Sequence, residues 1–159
     1  MKNKLKKVRI KMAADGGLTS EEQITSPDIA AKLMWNYLKD SDREQVMVLT
    51  LDVKMQPLNV SVVSVGTVDN CPVHAREIFK TAILSNATGI LMMHNHPSGD
   101  CTPSKEDFEV TQKMEQAGEI LGICLYDHIV VGAGTYYSFR ENNLVSAQGA
   151  VPMAAEGGN

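Results

Sequence analysis

The stretch TGILMM (88–93) followed by HNHPSGDCTPSKED (94–107) decides how this chain folds. A short continuous apolar run reads as a strand buried on both faces. Pro97 and Gly99 then break regular structure, and Ser104 is placed to cap a helix running to about Glu119. Working outward, Ser26-Pro27 is a helix start, with Ile29, Leu33, Trp35 and Leu38 on one face of a helix ending near Asp40. VMVLTLD and LNVSVVSVG read as two strands of a hairpin turning at 52–57. Residues 74–86 read as a second helix, with Ile78, Phe79, Ala82 and Ile83 on its packed face. LGICLYDHIVVGAG and TYYSFRE read as two last strands around a turn at 132–134. This order predicts an α/β (α+β) domain, a mixed β-sheet flanked by helices.

The flanks are less structured in composition. Residues 1–11 carry six basic groups and no acid, and read as a basic tail or a short edge strand. Residues 13–25 read as a linker, so 1–25 is taken as tail and linker. The folded domain is placed at 26–145, and the Gly-rich 146–159 is taken as a flexible tail.

The chain has 159 residues, room for one domain and not two. Its net charge of −4 is uneven: removing the six basic groups of 1–11 leaves nine basic against nineteen acidic, a net of −10. So acidic a body is a poor DNA binder, although the basic tail remains a candidate phosphate contact. Aromatics are only 5%, too few for a base-stacking platform. Three cysteines without CxxC argue against a disulfide framework. No apolar run approaches the ~18 residues of a membrane span. Nor does a signal-type core follow the basic start, so no membrane is expected and the default compartment is the cytoplasm.

Two of the four histidines sit in His94-x-His96. In an extended segment, residues i and i+2 share a face, so both imidazoles can converge on one ion. A helix starting at Ser104 would put Asp107 in its first turn, able to point back toward them. Two histidines and one carboxylate leave a fourth position for water, the pattern of a catalytic rather than structural zinc site. Zinc is favoured on softness and availability, since such donors also suit other divalent ions. A bare HxH is otherwise a pair of loop histidines. Here the spaced Ser104 and Asp107 are what argue for metal.

These residues resemble a known family. His94-x-His96-Pro97 with Ser104-x-x-Asp107 looks like the JAMM (JAB/MPN) metalloprotease motif. The longer string, with LGICLYDHIVVG downstream, closely resembles its RadC-like branch over roughly residues 26–142. The resemblance implies a JAB/MPN-like, cytidine-deaminase-like architecture. It implies one zinc per chain held by His94, His96 and Asp107. It also implies Glu44 as general acid/base and Ser104 as an oxyanion donor. Zinc-activated water would then attack an amide carbonyl of a peptide or protein. RadC-like proteins are commonly labelled DNA-repair proteins, so a nucleic-acid-linked role without peptidase turnover is the alternative. HExxH is absent, as are the H-x-E and P-C-x-x-C of zinc deaminases.

The remaining candidates divide as follows. Glu22 lies in the linker and Glu77 on a solvated helix face, so neither competes well with Glu44. Asp100 is a partner for a ligand histidine or a turn residue. Cys101 is a small loop residue. His128 is a structural, hydrogen-bonded histidine that Asp127 orients. His74 and Cys71 have no assigned partner. The methionines, Met34, Met47, Met92 and Met93 among them, fill core positions.

Overall fold

Why the chain builds one central sheet follows from three inner strands that are buried on both faces. In the computed structural model, which describes residues 7–16, 22–66 and 73–146, the order is α1 (Pro27–Leu38), β1 (Gln45–Leu51), β2 (Pro57–Val65), α2 (Ala75–Leu84), β3 (Gly89–Asn95), α3 (Lys105–Leu121), β4 (Cys124–Val131) and β5 (Tyr136–Ser138). The sheet runs β2-β1-β3-β4-β5. β1 is antiparallel to β2 and β3, β3 is parallel to β4, and β4 is antiparallel to β5. This is the mixed, helix-flanked α+β sheet expected from the sequence.

Strand alternation divides the core in two. Met47, Leu49, Leu51, Leu91, Met93, Ile129 and Val131 pack with Ala30, Met34 and Leu38 of α1. Val48, Ile90, Met92, Leu125 and Val130 pack with Ile78, Phe79 and Ala82 of α2 and Met114 of α3. The named methionines are all buried, as expected.

Several details differ from the sequence reading. Ser26 occupies the α1 N-cap with extended backbone, but its hydroxyl makes no capping bond; Pro27 sets the start. The fully seated stripe of α1 is Pro27, Ala30, Ala31, Met34 and Leu38, with Ile29, Leu33 and Trp35 only partly buried at its margins. Ile29, Leu33 and Trp35 each lie one position to the side of that stripe and so meet the core only at its edge. On α2, Ile83 is 52% exposed because it lies round the helix from the Ile78–Phe79–Ala82 stripe. Ile24, inside the expected linker, is fully buried and donates its N–H to the Met55 carbonyl at 2.9 Å. Residues 7–11 form no strand, and Val8 and Ile10 are exposed, which leaves the edge-strand reading unsupported there. Residues 1–6, Cys71 and 147–159 lie outside the described residues. Among the described residues no helix is long and apolar enough to cross a membrane.

Candidate metal centre

β3 runs two residues beyond its apolar run. His94 is held opposite Val46 of β1 and Val130 of β4, and Asn95 opposite Val131. The His96 N–H then donates to the Val131 carbonyl at 2.9 Å, which keeps the chain extended past the strand end. His94 and His96 therefore project to the same side. Their Nε2 atoms lie 3.0 Å apart.

Asp107 arrives from α3. Ser104 and Asp107 form a capping box: the Ser104 hydroxyl accepts from Asp107 N at 3.2 Å, and Asp107 Oδ2 accepts from Ser104 N at 2.7 Å. This arrangement satisfies two main-chain donors at the helix start and fixes the carboxylate. Asp107 Oδ1 lies 3.2 Å from His94 Nε2, and Oδ2 lies 3.7 Å from His96 Nε2. The Ser104 hydroxyl donates to Asp107 Oδ2 at 2.8 Å, so its one proton is directed at the carboxylate rather than outward.

Glu44 immediately precedes β1, and its Oε1 lies 3.9 Å from His94 Nε2. Its main chain is held from two sides. The Glu44 carbonyl accepts from Gly66 N across the hairpin at 2.8 Å. On the other side Asn95 clamps the neighbouring backbone: Oδ1 accepts from Gln45 N at 2.8 Å and Nδ2 donates to the Arg43 carbonyl at 3.0 Å. The residue between the two histidines thus sets the position of Glu44. Glu77, by contrast, pairs with Lys80 on the exposed side of α2, away from this cluster.

Both imidazoles have partners behind them. His96 Nδ1 lies 2.7 Å from the Asp100 carbonyl. Asp100 therefore does partner a candidate ligand, but through its main chain; its side chain closes the turn onto Thr102. His94 Nδ1 lies 2.8 Å from His128 Nε2, and His128 Nδ1 lies 2.6 Å from Thr111 Oγ1. His128 is hydrogen-bonded as expected, but Asp127 does not orient its ring. The Asp127 carboxylate accepts from His128 N, Ser138 Oγ and Arg140 N instead. Cys101 bonds Thr135, in keeping with a loop role.

Burial pushes the Asp107 carboxyl up, but its close contacts with the His94 and His96 imidazoles outweigh it and hold the group well below the usual carboxylate range. The hydrogen bond to Asp107 raises His96 above its ordinary value, against burial. Burial drives His128 well below the usual imidazole range, so it is neutral.

Glu44, His94 and His96 form one group with ligand atoms within 4.8 Å of one another, and His94, Asp107 and His128 form another. They meet His94 from opposite ring edges: His128 faces Nδ1, whereas His96, Asp107 and Glu44 face Nε2. An ion placed at Nε2 would have His94, His96 and Asp107 within reach as candidate ligands, with His128 behind. Ligands about 2.0–2.1 Å from zinc in a tetrahedral site stand about 3.3 Å from one another. The imidazole nitrogens stand 3.0 Å apart, and each lies 3.2–3.7 Å from one oxygen of the Asp107 carboxylate, spacings near that value, so the chemistry and spacing of the donor set are compatible with such an ion.

A helix-flanked mixed sheet with His94 and His96 at the end of its middle strand and Asp107 in the first turn of the next helix has the layout of a JAB-type domain. Residues 24–144 match the family model described as the RadC-like JAB domain, and the chain belongs to that family. The UPF0758 protein of Thermotoga maritima is 50% identical over 100 residues, 63% of this chain and 45% of that protein. That of Methanosarcina barkeri is 40% identical over 125 residues, 79% of this chain and 55% of that protein. That of Symbiobacterium thermophilum is 50% identical over 103 residues, 65% and 44%. The chain spans about half the length of these curated relatives, whose names state no activity.

Asn95 and Thr111 are the residues that sequence reasoning missed. Asn95 lay in plain view between the histidines. Thr111 follows Asp107 by one helical turn, a spacing that places both on one face.

Proposed function

We propose that this domain is a zinc-dependent hydrolase acting on an amide bond of a peptide or protein substrate. The observation that carries this reading is the convergence of His94 Nε2, His96 Nε2 and the Asp107 carboxylate within 3.0–3.7 Å of one another. When bound, zinc supplies the Lewis acidity that brings a water's pKa toward ~7. His94 and His96 bind through Nε2 because their Nδ1 atoms are engaged by His128 and the Asp100 carbonyl. Glu44 takes the water's proton and hands it to the departing amine nitrogen, and its clamped backbone keeps the carboxylate in place. Ser104 primarily steadies Asp107; it serves the substrate oxyanion when its proton turns from Oδ2.

The purified chain should hold about one zinc, and His96→Ala should abolish it. Glu44→Gln should keep zinc and lose hydrolysis of peptide and isopeptide substrates. A wild-type chain that takes up no zinc from non-chelating buffer overturns the reading.

A further inference from the structure

Behind His94 runs a sequence of hydrogen bonds in which every proton can be assigned. The Asp107 carbonyl can only accept. Thr111 donates its single hydroxyl proton to that carbonyl at 2.6 Å. The Thr111 oxygen therefore acts as acceptor toward His128 Nδ1, also at 2.6 Å, so His128 carries its proton on Nδ1. The His128 ring is 2% exposed and stacked on Phe139, with centroids 4.7 Å apart and planes 11° from parallel. A second proton there would bury a charge against a phenyl ring. His128 Nε2 is left with a lone pair, which accepts from His94 Nδ1 at 2.8 Å. His94 in turn is left with a bare Nε2, the atom facing His96 and Asp107.

We propose that Thr111 and His128 are positioning residues that fix His94 as its Nδ1–H tautomer and so keep its Nε2 lone pair aimed at the metal position. The chain of bonds begins on the Asp107 carbonyl and ends beside the Asp107 carboxylate. One ligand's backbone thus sets the proton of another ligand's ring. Neutral histidine in water favours the opposite, Nε2–H form, so the surroundings must impose this one. The word metal rests on the hydrolase reading, whereas the tautomer does not.

The test uses the full chain with 15N-labelled histidine, metal-free, in long-range 15N–1H spectra taken where the rings are neutral. His94 and His128 should both be Nδ1–H. Thr111→Val keeps the side-chain shape and removes the hydroxyl, and should move both rings toward Nε2–H. Thr111→Ser keeps the hydroxyl and should hold both as in the wild type. Zinc affinity, read by chelator competition, should fall about 10–100-fold in Thr111→Val and stay near wild type in Thr111→Ser. Wild-type His94 found as Nε2–H overturns the proposal without any variant. So does Thr111→Val with wild-type tautomers, or Thr111→Ser as weak as Thr111→Val, which would show that the hydroxyl is not what holds the rings. If the wild-type chain binds no zinc, the hydrolase reading fails while the spectra still decide this one.

Discussion

Gly132 closes the loop that supports His96, and adding one methyl group there should loosen the candidate metal centre without touching a candidate ligand. A Cβ at Gly132 would lie 2.4 Å from the Gly99 carbonyl oxygen, 3.0 Å from Cys101 N and 3.1 Å from Gly99 C. Ordinary contact begins at 3.4 Å, so the 99–101 segment must retreat by about 1 Å. That segment is tied at two points. The Gly99 carbonyl accepts from Ala133 N at 2.9 Å, and the Asp100 carbonyl lies 2.7 Å from His96 Nδ1. Such a retreat takes the first bond beyond hydrogen-bonding range and draws the second off the imidazole. Gly132 does not have positive φ, so the penalty is steric and not one of backbone strain. Overpacking costs typically about 1–3 kcal/mol, and a loop that yields puts Gly132→Ala at the lower end, about 1–2 kcal/mol. Losing an outer partner of a ligand histidine costs about 10-fold or more in metal affinity. Urea unfolding of the metal-free chain and chelator competition for zinc read the two effects separately. Gly134→Ala is the control: Gly134 has φ +73° and open space around it, so alanine there costs about 1 kcal/mol of strain and leaves zinc affinity unchanged. A Gly132→Ala chain with wild-type urea midpoint and wild-type zinc affinity would refute the reasoning.

Asn95→Ala removes both bonds of the clamp on Arg43 and Gln45, about 2 kcal/mol at ~1 kcal/mol per bond. It should depress peptide hydrolysis while zinc is retained; full turnover after the same stability loss would show that Gly66 alone suffices to place Glu44. Gly118→Ala should cost about 1–3 kcal/mol in urea unfolding, since its Cβ would sit 2.5 Å from the Ile123 carbonyl oxygen; an unchanged midpoint counts against the tight turn drawn there. Asp127 gives a pH effect of opposite sign to most carboxylates. Burial outweighs the hydrogen bonds it accepts and raises it from 3.8 to about 6. The folded state thus keeps that proton when the unfolded state has lost it. Its contribution is full below about pH 4 and falls by about 3 kcal/mol as pH rises to about 6. The stability difference between wild type and Asp127→Asn should therefore change over that window, and a flat difference sinks the assignment.

The middle of the sheet was legible because β1, β3 and β4 are buried almost throughout and so read as mainly apolar runs, whereas the more exposed edge strand β2 was legible from its alternation. Where pairing rather than hydrophobicity extends a strand, the sequence fell short. His94 and Asn95 are polar, yet they belong to β3 because β1 and β4 hold them in register. β5 is shorter than TYYSFRE implies, since the Asp127 carboxylate takes Arg140 N and Ser138 Oγ and turns the chain away. At the candidate site, His94, His96, Ser104, Asp107 and Glu44 were all legible from spacing or resemblance, and the structure brings them together. What supports them was not. The Thr111–His128 contact spans 17 positions and Asn95–Arg43 spans 52, and no local pattern encodes such pairings.

The capping box at the start of α3 changes what each of these residues can report about descent. Asp107 is both candidate ligand and helix cap, and Ser104 shares the cap. Under the hydrolase reading, a descendant that had abandoned catalysis would still lose about 1 kcal/mol of helix stability by discarding either one. Selection for folding alone therefore preserves Ser-x-x-Asp, and its survival in a relative says little about chemistry. Glu44 and His96 cap no helix, so drift would erase them first, and they are the positions by which working and retired copies are told apart.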